Sequence, residues 1–178
     1  SGGTSASRPV PDRGEVSMEE QLDQSAPPTN ENLNAYLDDF YREEQERLVH
    51  FPESLPAQAT PFDVLIINVC SLALRDVEAS GLSGHPVWSH FDIRFNRFNS
   101  ATSYSGPSSI RLLRASCGQT SHQGLYVTAP KQCLLFENLA QLGFAKQVAM
   151  DHSGDFGNYL TGLQQYAGLD VTPMDKKG

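Results

Sequence analysis

The sequence predicts an α/β protein with a mostly parallel sheet flanked by helices, and three observations predict it. Phe62-Asp-Val-Leu-Ile-Ile-Asn-Val69 is apolar on both faces, as the central strand of a covered parallel sheet is. Strand-like and helix-like segments then alternate as far as Met150, which is the order of a layered α/β fold. Gly81, Gly118 and Gly143 each close a helical stretch. About three expected strands cannot cover a sheet of their own, so the sequence reads as an incomplete α/β domain.

Each element has its own justification. Residues 1–28 hold four prolines and little hydrophobic pattern, and read as a flexible linker. Residues 29–60 read as an amphipathic helix and a connector. Thr29 and Asn30 offer an N-cap, and Leu33, Tyr36, Leu37, Phe40 and Tyr41 recur along one helical face, which ends near His50 before Pro52. Asp38, Asp39, Glu43, Glu44 and Glu46 make the other face acidic. From residue 61 to 178 the chain reads as the α/β part. After the strand 62–69 come a short helix from Leu72 to Ala79 and a strand over Phe91–Phe95 that continues through Phe98. A helix follows from Ser105, with Pro107 tolerated in its first turn. A helix from Phe136 to Leu142 and a strand from Phe144 to Met150 complete the series.

Composition excludes several function classes. The chain has 178 residues, 13 basic and 21 acidic, for a formal charge of −8. That balance opposes a nucleic-acid surface, which needs clustered Lys and Arg. No apolar stretch approaches the roughly 20 residues that span a bilayer, and no secretory signal opens the chain. No dinucleotide fingerprint, P-loop or His-Glu-x-x-His motif is present. Three cysteines leave two readings: one pair plus a cysteine with another task, or three buried thiols.

Chemistry in an open α/β sheet collects at the carboxyl ends of the strands. Cys70 falls there, directly after the longest apolar run, and a thiolate is a good zinc ligand. Ser105 falls at the next strand end and at a helix start, where free N–H groups and the helix dipole favour a phosphate. Such a hydroxyl needs a base or a metal to become a nucleophile. His152, in Asp151-His-Ser-Gly-Asp-Phe-Gly157, follows a strand and is the histidine best placed to touch substrate. His85, His90 and His122 read as surface or hydrogen-bonded histidines, and Trp88 as a partly buried core residue.

Asn68-Val-Cys-Ser-Leu72, Ser89-His-Phe-Asp-Ile93, Phe98-Asn-Ser-Ala-Thr-Ser-Tyr-Ser-Gly-Pro107 and Ile110-Arg-Leu-Leu-Arg-Ala-Ser-Cys-Gly-Gln-Thr-Ser-His122 carry a specific resemblance. From about Leu33 onward the chain resembles the periplasmic catalytic domain of the bacterial cellulose phosphoethanolamine transferases, in the alkaline phosphatase/sulfatase superfamily. The resemblance implies an alkaline-phosphatase-like fold, of which this chain is the N-terminal part. It implies Ser105 as nucleophile, Cys70 and Ser105 as zinc ligands, Tyr104 in the phosphoryl pocket, and a Cys117–Cys133 disulfide. Zn2+ is the implied cofactor, phosphatidylethanolamine the donor, cellulose the acceptor and cellulose synthase complex subunits the partners. The implied location is the periplasmic side of the inner membrane, the full-length protein being membrane-anchored. Further zinc ligands are expected beyond Gly178, so the chain alone is expected to be inactive. Two alternatives stand beside this reading: a sulfatase or phosphodiesterase of the same superfamily, and a non-catalytic module of the cellulose secretion complex that docks through the acidic helix from Leu33 to Leu48.

Overall fold

A computed structural model describes residues 26–60, 62–95 and 97–173. Most of the expected linker over 1–28 lies outside the described residues. The chain divides at Arg42 into two units, 1–42 and 43–178.

Helix α1 runs over Asn30–Glu46. Its start is a reciprocal cap: Thr29 Oγ1 accepts from the Asn32 N–H at 3.3 Å, and Asn32 Oδ1 accepts from the Thr29 N–H at 2.9 Å. Two of the four orphan amides of a helix start are thus satisfied within the segment. In the same unit Arg42 pairs with Asp39, one turn earlier.

The second unit has its core between α3 (Ser105–Leu113) and α5 (Tyr159–Ala167). Ile110, Leu113, Leu125, Leu163, Ala167 and Leu169 are buried together, with Phe136 and Val148 packed against them. Gly162 faces Ile110 across this contact, where a Cβ would lie 4.0 Å from Ile110 Cδ1, an ordinary packing distance. Gly168 ends α5 at φ +64, and Leu169 donates back to the Leu163 carbonyl at 3.2 Å. That left-handed turn suits glycine alone, because a Cβ would also lie 2.8 Å from Leu134 Cδ1. Helices α2 (Leu74–Ala79) and α4 (Leu135–Gln141) are short. Asn138 of α4 donates to Ser116 Oγ at 3.1 Å and to the Gln132 carbonyl at 2.9 Å, which satisfies both of its amide hydrogens in the interior.

Strands β1 (Ala149–Met150) and β2 (Thr172–Pro173) pair in parallel, with α5 as the crossover between them. This single βαβ unit carries the α/β character among the described residues. The wider parallel sheet read from the sequence is not found there. Residues 62–69 and 91–95 carry no paired strand, and only the last two residues of the expected 144–150 strand are paired. The physical reason is that a strand satisfies its backbone only through a neighbour. The apolar side chains of these runs are exposed, Leu65 at 82% and Ile67 at 73%.

Candidate functional site

The first turn of α3 is the centre of the site. Tyr104 precedes it in extended geometry, with its ring 75% exposed, and Ser105 is half-buried as the first helical residue. The amides of Ser105 and Gly106 belong to the helix-start group that has no intrahelical acceptor, and Pro107 has no N–H at all. The Ser108 amide closes the turn on the Tyr104 carbonyl at 3.0 Å. The Ser108 hydroxyl is 2.9 Å from that of Ser100, which fixes the incoming loop against the helix.

Cys70 reaches the same helix face through Tyr159. The Tyr159 hydroxyl lies 3.2 Å from Ser109 Oγ and has the Cys70 side chain as an electrostatic neighbour. Asn68 Nδ2 donates to the same Ser109 oxygen at 3.2 Å. Ser109 is four residues after Ser105, one turn along the same face, so Cys70 and Ser105 sit on one side of α3. The Tyr159 ring lies over the first turn, because a Cβ on Gly106 would meet its Cδ2 at 4.0 Å. Burial first of all, then the neighbouring Cys70, raises the Tyr159 pKa above its ordinary value, against a lowering by the Ser109 hydrogen bond. Tyr159 therefore stays a neutral hydroxyl at physiological pH.

Ser71 follows Cys70 at φ +58 and is the non-glycine residue with positive φ among the described residues. A left-handed serine costs on the order of 1–2 kcal/mol, a strain that recurs where a chain turns sharply at a functional group. Cys70 is a free, half-buried thiol.

His152 joins the same cluster. Its ring centroid is 6.3 Å from Tyr159 and 5.5 Å from Phe156, and Phe156 stacks on Tyr159 at 4.6 Å. His152 Nδ1 accepts from the Gly154 amide at 3.0 Å, so the neutral ring carries its proton on Nε2. The structure thus brings Cys70, the α3 face of Ser105, and His152 around one tyrosine. His85, by contrast, is in local use, accepting from the Val87 amide at 3.2 Å. Trp88 is half-buried, with its indole N–H on the Leu82 carbonyl at 2.7 Å.

Tyr159, Ser109 and Asn68 were missed from the sequence. Ser109 had a signal, its four-residue spacing from Ser105. Tyr159 had none, since its role comes only from the docking of α5 on α3.

A thiol and a serine hydroxyl suit part of a tetrahedral zinc set, but such a site needs more donors. Among the described residues no group of three or more His, Cys, Asp or Glu is gathered closely enough to hold a metal ion. The donor set present is therefore partial. The pairing of the other two cysteines is plain: Cys117 and Cys133 form a disulfide, with Cα atoms 4.9 Å apart.

Comparison with known proteins adds the family. The model of the cellulose biosynthesis protein BcsG C-terminal domain matches residues 17–178. The chain is 56% identical over 153 residues to the cellulose biosynthesis protein BcsG of Escherichia coli (strain K12), covering 86% of this chain and 27% of that protein. It is 58% identical over 146 residues to the cellulose biosynthesis protein BcsG of Salmonella typhimurium (strain LT2), covering 82% of this chain and 26% of that protein. The chain spans about a quarter of the length of these curated relatives.

Proposed function

The chain belongs to the BcsG C-terminal domain family, and from that premise we propose that it carries the nucleophile half of a phosphoethanolamine transfer site serving cellulose biosynthesis. The observation that supports the reading most is the hydrogen bond from Asn68 to Ser109, which brings the segment leading to Cys70 against α3 one turn after Ser105.

In this reading Ser105 Oγ attacks the phosphorus of phosphatidylethanolamine. The Oγ–P bond forms, the bond from phosphorus to the diacylglycerol oxygen breaks, and the serine proton ends on that leaving oxygen. In the second step a glucose hydroxyl of cellulose forms the new O–P bond, the Ser105 Oγ–P bond breaks, and the proton of that hydroxyl ends on Ser105 Oγ. The free amides of Ser105 and Gly106 and the positive end of α3 face the negative phosphoryl oxygens. Tyr104 and His152 line the phosphoryl pocket, His152 with Nε2–H available as a donor. Zn2+, with Cys70 and Ser105 among its ligands and the others from the full-length protein beyond Gly178, would lower the serine pKa. Tyr159 joins α5 to Ser109 of α3 beside the Cys70 thiol. The domain is then the N-terminal part of an alkaline-phosphatase-like fold, on the periplasmic side of the inner membrane. The full-length protein is membrane-anchored and works beside cellulose synthase subunits.

Mass spectrometry of the full-length protein incubated with phosphatidylethanolamine tests this. A phosphoethanolamine adduct is expected on the peptide containing Ser105 and is absent in Ser105→Ala. An adduct on another residue, or transfer undiminished in Ser105→Ala, refutes the assignment. Release to water alone, with a sugar acceptor present, makes the protein a hydrolase instead.

A further inference from the structure

The loop from Asp151 to Asn158 joins β1 to α5. It therefore leaves the carboxyl end of a strand in a parallel pair, the edge at which open α/β sheets take their ligands. Local bonds set its course. His152 Nδ1 accepts from the Gly154 amide at 3.0 Å, Ser153 Oγ from the Asp155 amide at 3.2 Å, and the Gly154 carbonyl from the Phe156 amide at 2.8 Å. Gly154 is buried at φ +72, where a Cβ would lie 2.8 Å from both Leu160 Cγ and Met150 Cε. A loop tied down in this way presents a fixed surface, and at its tip is an aromatic ring, Phe156, 45% exposed.

The rings around Phe156 leave one of its faces open. Phe156 and Tyr159 are stacked, 28° from parallel with centroids 4.6 Å apart, so each covers one face of the other. His152 is 5.5 Å from Phe156 and 6.3 Å from Tyr159. Those three separations form a triangle without an obtuse angle, which puts His152 beside the stacked pair. On the outer face of Phe156 it would be much farther from Tyr159. The stack also borders the transfer site, since the Tyr159 ring comes within 4.0 Å of where a Gly106 Cβ would sit in the first turn of α3. Outward from Ser105, the order is helix start, Tyr159, Phe156.

A single open aromatic face favours a flat ligand surface with slightly positive hydrogens, because the face of the ring is the negative part of its quadrupole. A β-linked glucose ring has its substituents equatorial and offers a face made of axial C–H groups. Asp151, Asp155 and Asn158 are exposed on the same loop and supply acceptors and an amide for the hydroxyls at the ring edge. The two carboxylates favour a neutral ligand here over a second phosphate. A compact ammonium group is recognised by rings that surround it, and two stacked rings leave no such box. We infer that Phe156 is a stacking platform for a glucose ring of a β-linked glucan, one ring beyond the tyrosine that borders the Ser105 turn. The inference deepens the transfer reading and rests on it for the identity of the acceptor.

Calorimetric titration of the full-length protein with cellohexaose tests it, with the α-linked maltohexaose and with ethanolamine as controls. Saturable binding of cellohexaose, tighter than maltohexaose and not displaced by ethanolamine, is expected. It should weaken about tenfold in Phe156→Ala and in Phe156→Leu, which keeps apolar bulk without a ring, and return in Phe156→Tyr. Near-UV circular dichroism checks the variants, and either ringless one that keeps the parent spectrum suffices. The inference is overturned by absence of saturable binding up to concentrations on the order of 10 mM, by maltohexaose binding equally well, or by displacement with ethanolamine. Unchanged affinity in a folded ringless variant, or a loss in Phe156→Tyr as large as in Phe156→Ala, overturns it too. Glucan binding that depends on Phe156 while no phosphoethanolamine forms on Ser105 keeps the platform and refutes the transfer reading. An adduct on Ser105 with glucan affinity indifferent to Phe156 does the reverse.

Discussion

Tyr159 does at one atom what the sequence spreads over ninety residues. Its hydroxyl meets Ser109 of α3 with the Cys70 side chain as an electrostatic neighbour, while its ring stacks on Phe156. Tyr159→Phe keeps the ring and removes the hydroxyl, leaving a buried Ser109 oxygen with only Asn68 for a partner. A loss of about 1 kcal/mol is expected, read as a lower urea midpoint with an unchanged slope. This residue also marks the limit of legibility at this scale. Cys70 and Ser105 could be named because each terminates a local pattern, an apolar run and a helix start. A residue that works only by joining two elements distant in sequence has no local pattern to betray it.

Among the elements, helices were legible and strands were not. A helix carries its hydrogen bonds within itself, so its caps and its 3.6-residue stripe can be read in place. The Thr29–Asn32 cap of α1, the Ser105 start of α3 and the α4 segment all fell within a few residues of their expected places. Helix α5 was overlooked because its buried stripe includes Gly162 and Ala167, too small to announce an apolar face. The runs at 62–69 and 91–95 have strand composition, yet composition does not supply the neighbouring strand on which pairing depends. Thr29→Ala tests the cap directly. About 1 kcal/mol of helix stability is expected to go, seen as faster hydrogen exchange in the first turn of α1 while the amides of α5 keep their protection.

For the whole molecule, the Cys117–Cys133 disulfide ties the end of α3 to the start of α4. The double variant Cys117→Ser/Cys133→Ser is expected to lose roughly 3 kcal/mol, by the chain-entropy argument for a loop of about 15 residues. Chemical denaturation of parent and variant under identical conditions measures it. The core clustered around Ile110 and Leu163 is small for a unit of this length. Much of the apolar material lies instead in the two runs that bury nothing. Phe95 and Phe98 are each 76% exposed, beside Ile93 at 73%. Colloidal behaviour follows from that. Two apolar segments that lie outside the sheet with their side chains exposed are templates for intermolecular pairing, and a net charge of −8 opposes it only through a repulsion that added salt screens. Aggregation of the isolated chain is therefore governed by ionic strength and protein concentration, and lysines placed at Leu65 and Ile67 would act as gatekeepers against it.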